Sequence, residues 1–402
     1  MEKLYYENQY EKNFTSEIIN VIEKDTKFHI VLDKTYFYPG GGGQPSDTGS
    51  IESIPIIDVY EEDGIIYHVT EKKPIKIHKV KCSIEWESRF DNMQQHLGQH
   101  ILSSCFLKLF NASTVGFHLG TKYCTIDIDK FLDIEKIQEA EKLSNEIVFE
   151  NIPVEILYPS RSELKKMNLK KSPPNTKEKI RIVKIKDIDV NPCCGIHPNS
   201  TIEVQLIKVT KCEKHKSGTR IEFLCGKRAL LDYFFKSNFA YEICNNLNCN
   251  ENEVLTRVSN LTLDLKKINQ ENSSLKNQLL DFEVQNIITK CEKVKNISII
   301  KFSYENKDLK EIDLLASKLT AFDNVIALLG LKSNTMANLI FMCSKSLKIC
   351  DMGLLLKDTV TLIDGKGGGN SFSAKGGGKG VNNLDSALDY ALMKVKGHIE
   401  SK

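Results

Sequence analysis

Apolar side chains return at every seventh position between residues 247 and 282. The series consists of Leu247, Val254, Leu261, Ile268, Leu275 and Phe282, and a companion row four residues further on contains Val258, Leu265 and Leu279. A heptad pattern over about five repeats predicts a helical hairpin or a coiled coil. Asn272 and Asn286 interrupt the companion row, and Asn272 either sets the register of the helices or marks a solvated break. We therefore expect a helical linker over residues 227–292, and a homodimer through this linker or the last domain.

The segments on either side of the linker have other patterns and predict an α+β fold. Residues 1–88 contain alternating stretches such as FHIVLD and IIDVYEEDGIIYHV, separated by turn residues, and predict a β-rich, barrel-like domain. Residues 89–226 mix predicted helices, such as RFDNMQQHLGQHILSSCFLKLF, with strands such as CTIDID. Residues 293–402 alternate apolar strands with amphipathic helices and predict a last α/β domain.

Composition narrows the class of protein. No apolar run approaches the roughly 20 residues that cross a bilayer, and the first residues lack the pattern of a secretory signal, so we expect no membrane partner. The formal net charge is only +2, so any nucleic-acid binding must come from local patches. Twelve cysteines in a chain without an export signal favour reduced thiols in a cytoplasmic protein.

Two separated pairs of side chains predict one metal site. His96 and His100 lie four residues apart on a predicted helix, so both rings project from one face. Cys193 and His197 show the same separation in a turn-forming context. Two imidazoles, one thiolate and a further imidazole suit a tetrahedral zinc ion. The neighbouring Cys194 is the alternative thiolate ligand.

The residues between the two helical histidines exclude one class of zinc enzyme. A zinc protease of the His-Glu-x-x-His type uses the intervening glutamate as its base. Here the intervening residues are Leu97, Gly98 and Gln99, and none of them carries a carboxylate. We therefore do not predict a protease.

Four motifs, in this order along the chain, carry a resemblance to a known family. They are Phe37-Tyr38-Pro39-Gly40-Gly41-Gly42-Gly43-Gln44-Pro45 followed by Asp47-Thr48-Gly49, Met93-Gln94-Gln95-His96-Leu97-Gly98-Gln99-His100-Ile101-Leu102, Cys193-Cys194-Gly195-Ile196-His197, and Arg220-Ile221-Glu222-Phe223 with Gly226. The chain resembles the editing domain of alanyl-tRNA synthetase and the stand-alone AlaX trans-editing proteins. It departs from the family's Cys-Gly-Gly-Thr-His motif at two positions, Cys194 and Ile196.

The resemblance implies an activity and a layout. The activity is hydrolysis of the ester that wrongly joins serine to alanine tRNA, with glycine as a second candidate amino acid. The last domain is similar to the DHHA1 domain of the long AlaX proteins, and residues 89–226 correspond to the zinc-binding editing domain. The aminoacylation domain of the synthetase would precede residue 1, so we expect editing in trans without aminoacylation. Zinc either activates water or polarises the ester carbonyl, or else positions the substrate, and the sequence leaves both roles open.

Candidate substrate contacts come from residues near the metal motifs. Discrimination of serine from alanine depends on one hydroxyl, which favours a buried polar partner for it. Gln44 is the first candidate, because it follows a glycine run whose backbone, at Gly42 and Gly43, can approach a ligand closely. Thr114 and His118 are further candidates, each with the alternative of a purely structural role.

Candidate tRNA contacts lie in the last domain and in two lysine runs. Glycines let backbone N–H groups face a phosphate, and neighbouring lysines add charge. The residues in question are Lys366, Gly367, Gly368, Lys375, Gly377 and Lys379. The lysine runs comprise Lys165, Lys166, Lys170, Lys171, Lys177 and Lys179, and Lys208, Lys211, Lys214 and Lys216, and a solvated face is the alternative for both.

Two other functions remain as alternatives. A tRNA-binding protein that has lost catalysis would keep the last domain and the zinc site. A phosphoesterase is disfavoured, because the chain lacks the Asp-His-His run that holds the metals of such enzymes.

Overall fold

The computed structural model describes residues 2–75, 78–167, 169, 179–305 and 307–401. The chain divides into two compact units, Met1–Glu251 and Asn252–Lys402. Both units combine helices with sheets, which confirms the mixed α and β class. The finer division into four domains at residues 88, 226 and 292 stays a prediction. No helix in the described ranges combines the length and apolarity that a membrane span requires.

Six strands in the first part of unit one close into a barrel, in the order β2-β3-β7-β6-β5-β8. Side chains alternate along the strands, so that β8 buries Val80, Cys82 and Ile84 and directs its other side chains outward. Two further short strands, β1 and β4, pair with each other in parallel and are not part of the barrel order. The strands are β1 (Glu2–Lys3), β2 (Asn13–Lys24), β3 (Lys27–Leu32), β4 (Lys34–Thr35), β5 (Gly49–Ile51), β6 (Ile54–Glu62), β7 (Ile65–Thr70) and β8 (Lys79–Ile84), with a 3-10 turn at Leu4–Tyr6.

The second part of unit one is built around one long buried helix, α1. Fifteen residues of this helix are buried, and Leu97, Ile101 and Phe106 among them share a core with a four-stranded antiparallel sheet ordered β14-β15-β10-β9. A smaller sheet has the order β11-β12-β13. The elements are α1 (Trp86–Phe110), β9 (Thr114–Leu119), β10 (Cys124–Ile128), α2 (Ile134–Phe149), β11 (Val154–Leu157), α3 (Arg161–Leu164), β12 (Ile182–Ile185), β13 (Asp189–Pro192), β14 (Ile207–His215), β15 (Gly218–Cys225) and α4 (Gly226–Leu247), with 3-10 turns at Thr201–Val204 and Glu251–Glu253.

Unit two is a six-stranded mixed sheet between two layers of helices, in the order β16-β17-β18-β19-β21-β20. Strand β18 is buried on both faces, with Ile326 and Leu328 in one core and Ala327 and Leu329 in the other. The first core contains α7 and α8, and the second contains α6 and the end of α5. The elements are α5 (Val254–Lys290), β16 (Glu292–Val294), β17 (Ile297–Glu305), α6 (Leu309–Leu319), β18 (Val325–Lys332), β19 (Ala337–Cys343), α7 (Met352–Val360), β20 (Gly365–Gly369), β21 (Ser373–Gly378) and α8 (Leu384–Glu400), with 3-10 turns at Thr361–Ile363 and Val381–Asn383.

The heptad series is divided between two helices. Leu247 ends α4, and the left-handed conformation of Asn248 terminates that helix before α5 begins at Val254. Along α5 the heptad side chains after Val254 are exposed, while Leu280 and Val284 pack on the sheet of unit two. The heptad seam and the sheet-packing stripe of α5 are therefore two different faces of the helix.

Candidate metal centre

The fold brings the four predicted ligands together. One ligand atom from each of His96, His100, Cys193 and His197 lies within 4.8 Å of the other three, and the group could hold a metal ion. Both histidines of the first pair project from the same side of α1, with ring centroids 5.2 Å apart. The second pair lies in the loop that follows β13.

The spacing of the donor atoms fits a tetrahedral ion. The Sγ atom of Cys193 lies 3.5 Å from Nε2 of His96 and 3.6 Å from Nε2 of His197. With zinc–sulfur and zinc–nitrogen bonds of about 2.3 and 2.0–2.1 Å, tetrahedral geometry separates sulfur from nitrogen by about 3.6 Å. The sulfur–nitrogen distances in the cluster therefore equal those expected in a zinc site.

Two of the imidazoles are oriented from behind by other side chains. Nδ1 of His96 donates to Oε1 of Gln44 at 2.9 Å, and Nδ1 of His100 donates to Oδ2 of Asp189 at 2.8 Å. Both bonds leave Nε2 free as the ligand atom, which is the usual arrangement behind metal-bound histidines. Nε2 of His100 and Nδ1 of His197 are buried and have no hydrogen-bond partner among the described residues.

The electrostatics of the cluster favour a thiolate beside a neutral imidazole. Burial alone would raise the pKa of the Cys193 thiol, but His96 and His197 lower it well below its usual value. Burial also lowers the pKa of His197 to about 3. Metal ligands must be deprotonated, and the directions of these two pKa shifts favour the deprotonated form of Cys193 and of His197.

The loop that carries Cys193 and His197 is held by polar contacts from distant parts of unit one. Nη1 of Arg181 donates to the carbonyl oxygens of Cys193 at 2.9 Å and Gly195 at 2.7 Å. The hydroxyl of Tyr6 donates to the carbonyl of Cys194 at 2.7 Å. A Cβ at Gly195 would lie 2.3 Å from Cε1 of His96, so only glycine fits between the loop and the imidazole.

The glycine motif forms a second loop beside the cluster. Gly40 to Gly43 all have positive φ, a backbone conformation that favours glycine. Asp47 closes the loop by accepting from the backbone N–H of Tyr38, and the buried Arg89 donates to Asp47. A Cβ at Gly42 would lie 2.9 Å from Sγ of Cys194. Cys194 therefore packs against the glycine loop, and the metal-ligand cluster contains Cys193 instead.

A cavity of about 380 Å³ opens directly on the ligand cluster. His96, His100 and Cys193 line it, so a molecule in the cavity would contact the metal-binding side chains. Polar residues also line this cavity. They are Gln99, Ser103, Ser104, Ser113, Thr114, Asp189 and Asn191.

The cavity lining contains some of the five predicted substrate contacts and not others. Gly42, Gly43 and Thr114 line the cavity, but among the described residues that do so, neither Gln44 nor His118 is present. The glycine loop turns Gln44 inward, where Oε1 also accepts from the backbone N–H of Ile196 at 3.0 Å, so the side chain orients His96 instead of reaching the cavity.

His118 lies in a different groove, with Tyr123 and Arg220. Strand alternation explains its place, because the adjacent Phe117 faces the cavity and successive side chains of β9 point to opposite faces. A single position along the strand therefore separates a cavity residue from an exposed one.

Asp189 and Asn191 are cavity residues that the sequence analysis missed. Oδ1 of Asp189 accepts from Oγ of Ser104 at 3.0 Å and from Nδ2 of Asn191 at 2.7 Å, in addition to the bond from His100 to Oδ2. One signal was present in the sequence: residues 189 and 191 are two apart in the strand just before Cys193, so they share a face.

The glycine-lysine segment forms a β-hairpin of unit two. Strand β20 is the last strand of the sheet and pairs only with β21. The backbone groups on its other edge therefore do not pair with a strand of this sheet. Gly367 and Gly368 lie on this edge strand, and Gly377 lies on the inner β21, whose backbone also pairs with β19. Lys366, Lys375 and Lys379 are all exposed, and Nζ of Lys375 lies 2.5 Å from Oδ1 of Asp313.

The lysine runs are partly neutralised. Lys208 pairs with Glu141, and Lys211 pairs with Glu213. Lys170, Lys171 and Lys177 lie outside the described residues. These ion pairs reduce the local positive charge of the second run.

Two family models match the chain. The model of the threonyl and alanyl tRNA synthetase second additional domain matches residues 180–222, and the model of class II (A) tRNA synthetases matches residues 2–88. The first match contains Cys193 and His197.

Three curated proteins illustrate the similarity along the whole chain. The alanyl-tRNA editing protein AlaX-L of Pyrococcus horikoshii is 33% identical over 417 residues, covering 100% of both chains. An alanine–tRNA ligase of Methanobrevibacter smithii is 27% identical, covering 97% of this chain and 45% of the ligase. An alanyl-tRNA editing protein of Xenopus laevis is 27% identical, covering 75% of this chain and 73% of that protein.

Proposed function

The chain belongs to the family of alanyl-tRNA editing proteins, and from this premise we propose that it hydrolyses the ester of serine wrongly attached to alanine tRNA. Glycine is the second candidate amino acid. The proposed enzyme is a trans-editing aminoacyl-tRNA hydrolase. The observation that carries the proposal is a ligand set of three histidines and one cysteine that opens on a cavity of about 380 Å³.

Zinc is the proposed cofactor, with His96, His100, Cys193 and His197 as its ligands. Three imidazoles and one thiolate, at the separations found here, match the donor types and size of a zinc site. Zinc bound there would supply Lewis acidity to a carbonyl or a water in the cavity, or a fixed charge that orients the substrate. Four protein donors complete a tetrahedral shell, which favours the orienting role.

The protein's own residues hold the site in a fixed geometry. Asp189 and Gln44 keep the Nε2 atoms of His100 and His96 directed at the centre. On the cavity wall, Oγ of Ser103 accepts from Nε2 of Gln99 and from Oγ1 of Thr114. We propose that this wall and the backbone of Gly42 and Gly43 bind the aminoacyl end of the tRNA.

The last domain is the proposed site of a further tRNA contact, in the manner of a DHHA1 domain. Lys366 and Lys379 are exposed near the glycine hairpin and are available to phosphates. The ion pair of Lys375 with Asp313 reduces its contribution. The backbone of the edge strand β20, which contains Gly367 and Gly368, completes the proposed contact.

A homodimer through the helical segment is the proposed assembly. Four members of the heptad series on α5 are more than half exposed, namely Leu261 at 51%, Ile268 at 59%, Leu275 at 53% and Phe282 at 74%. An apolar seam of this length has the pattern of a coiled-coil interface.

A deacylation assay tests the proposed function. The zinc-loaded full-length protein is incubated with alanine tRNA charged with serine, glycine or alanine, and release of the amino acid is followed with and without chelator. We expect serine to be released about 100-fold faster than alanine, because a buried polar group is left unpaired by alanine. Equal rates on serine and alanine would refute the selectivity. Binding of the tRNA without any hydrolysis would establish the alternative, a catalytically inactive tRNA-binding protein.

A further inference from the structure

Asn191, a residue of the cavity lining, carries a buried acceptor atom that has no partner among the described residues. Asn191 is 8% exposed and lines the cavity next to the ligand cluster. Its Nδ2 atom donates to Oδ1 of Asp189 at 2.7 Å, which fixes the orientation of the amide. The opposite atom, Oδ1, is buried and has no hydrogen-bond partner among the described residues. A polar atom in this situation is rare in folded proteins and calls for an explanation.

Asp189 makes this orientation rigid. The same carboxylate accepts from Ser104 and His100, so its position is set by side chains of α1. Rotation of the Asn191 amide would place Oδ1 against the carboxylate oxygen and replace an attraction with a repulsion. The acceptor therefore stays directed away from Asp189.

We propose that Oδ1 of Asn191 accepts a hydrogen bond from the side-chain hydroxyl of the seryl group, and that Asn191 is the residue that selects serine. This inference rests on the proposed function. Serine supplies the missing donor, whereas the methyl group of alanine and the hydrogen of glycine leave the acceptor unpaired. A site that is built to bond a hydroxyl rejects an analogue that lacks it far more strongly than a site that merely tolerates size.

The other polar wall of the cavity is less suited to this selection. The hydroxyl of Thr114 already donates to Oγ of Ser103 at 2.7 Å, and both side chains are only half-buried. Solvent can reach half-buried groups, so an alanyl or glycyl ester would leave them hydrated at little cost. The buried Asn191 has the larger penalty when its partner is missing.

Substitution of Asn191 tests the inference with glycine as the internal reference. Seryl and glycyl esters differ by the CH₂OH group and share the ester, the amino group and the tRNA. We expect Asn191→Ala to lower kcat/KM on serine-charged alanine tRNA about 10- to 100-fold and on the glycine-charged form less than about threefold. Ser104→Ala is the matched control, because it removes another donor to Asp189 and keeps the acceptor. Its serine-to-glycine ratio should stay within about threefold of the wild type.

The outcomes separate this inference from the proposed function. An equal loss on both substrates would mean that Asn191 holds a common part of the substrate, such as the amino group, and would overturn the inference. The inference would also be overturned if the serine-to-glycine ratio of kcat/KM fell in Thr114→Val and stayed unchanged in Asn191→Ala. If the wild-type protein hydrolyses neither substrate, the proposed function fails first, and the inference fails with it.

A binding measurement keeps the test independent of catalysis. Non-hydrolysable adenosines that carry a seryl or a glycyl amide are titrated into the wild type and Asn191→Ala, both with measured zinc content. The variant should lose about 10-fold or more in affinity for the seryl compound alone. Unchanged affinity for the seryl compound, at normal zinc content, would overturn the proposal.

Discussion

A single carboxylate connects the metal ligands to the cavity wall. Asp189 bonds His100, Ser104 and Asn191 and is 2% exposed. Partners of this kind set both the orientation and the basicity of a metal-bound imidazole. The residue thus serves the proposed zinc site and the proposed serine contact at once, although it is neither a ligand nor a substrate contact itself.

Replacement of Asp189 tests this role. We expect Asp189→Asn to weaken zinc binding about 10- to 100-fold, because His100 loses its charged partner. The measurement is competition with a chromogenic chelator at neutral pH. Asp127→Asn is the control, since Asp127 pairs with Arg220 and does not contact the ligand cluster. Equal affinities for the wild type and Asp189→Asn would contradict the assignment.

His68 makes the stability of the barrel depend on pH. Its Nδ1 donates to the carbonyl of Ile30 at 3.0 Å, so Nε2 is the atom that accepts from the hydroxyl of Thr35 at 2.8 Å. This neutral form is buried, and burial lowers the pKa from 6.5 to about 4. Because the unfolded chain binds the proton more readily, the contribution is present above pH 6.5 and is lost as the pH falls towards 4.

The expected loss at His68 is about 3 kcal/mol, from a difference of about 2.5 pKa units. The measurement is urea unfolding of the wild type and His68→Gln at several pH values between 7 and 4. The free energy of unfolding of the wild type should fall more steeply than that of His68→Gln. Parallel curves for the two proteins would show that His68 does not titrate in this way.

Residue positions around the site differ in how far the sequence predicts them. The four ligands could be predicted, because each pair has a four-residue spacing and matching donor types. The direction of the Gln44 side chain depends on the positive φ angles of Gly40 to Gly43. Glycine allows such angles but does not fix them, so the sequence alone does not give this direction. The cavity role of Asn191 depends on a hydrogen bond to Asp189 that only the packed structure defines.

At the scale of elements, helix α1 carries the site because it can approach β15 closely. Gly98 lies between His96 and His100, and a Cβ there would lie 2.2 Å from Sγ of Cys225. Cys225 is fully buried, so it has little room to move. The glycine thus sets the distance between the helix and the sheet.

Replacing Gly98 with alanine has two opposing effects on the free energy of unfolding. Alanine favours the helix over glycine by about 1 kcal/mol, but overpacking of a core costs about 1–3 kcal/mol. Since the contact is with a buried side chain, we expect Gly98→Ala to lower the free energy of unfolding by about 1–2 kcal/mol. Denaturant titration measures it. In a Cys225→Ala background the same substitution should be less destabilising, and strictly additive effects would exclude the clash.

The heptad seam of α5 predicts an interaction between copies of the chain. Ile268→Lys places a charge in the exposed seam, and we expect it to shift the protein from dimer to monomer while the melting temperature of the monomer stays within a few degrees. Gln270→Lys lies on the opposite side of the helix and should leave the dimer intact. Analytical ultracentrifugation distinguishes the two. A wild type that is monomeric at micromolar concentration would exclude this interface.

Secondary structure was predictable where periodicity was strong, and less so where turns interrupt it. The predicted strands FHIVLD and CTIDID and the predicted α1 are all present. The seven-residue spacing of apolar side chains is unbroken across residues 248–253, yet the helix ends there because Asn248 adopts a left-handed conformation. Chain direction at that point depends on one residue, and a seven-residue average does not resolve it.

At the scale of the whole molecule, unit one contains all parts of the proposed catalytic site. The barrel region supplies the glycine loop and Gln44, α1 supplies two ligands, and the loop after β13 supplies the other two. These segments are far apart in sequence, so ion binding and folding of the unit are coupled. The sequence predicted that these motifs would meet, but the order of the barrel strands and the position of the cavity follow from packing.

Metal content in a pair of cysteine variants is the most direct test of the central claim, that His96, His100, Cys193 and His197 bind one ion. Wild type, Cys193→Ser and Cys194→Ser are purified in parallel, and zinc per chain is measured by mass spectrometry of the element. We predict about one zinc in the wild type and in Cys194→Ser, and a large loss in Cys193→Ser. No bound zinc in the wild type, or a loss confined to Cys194→Ser, would contradict the account.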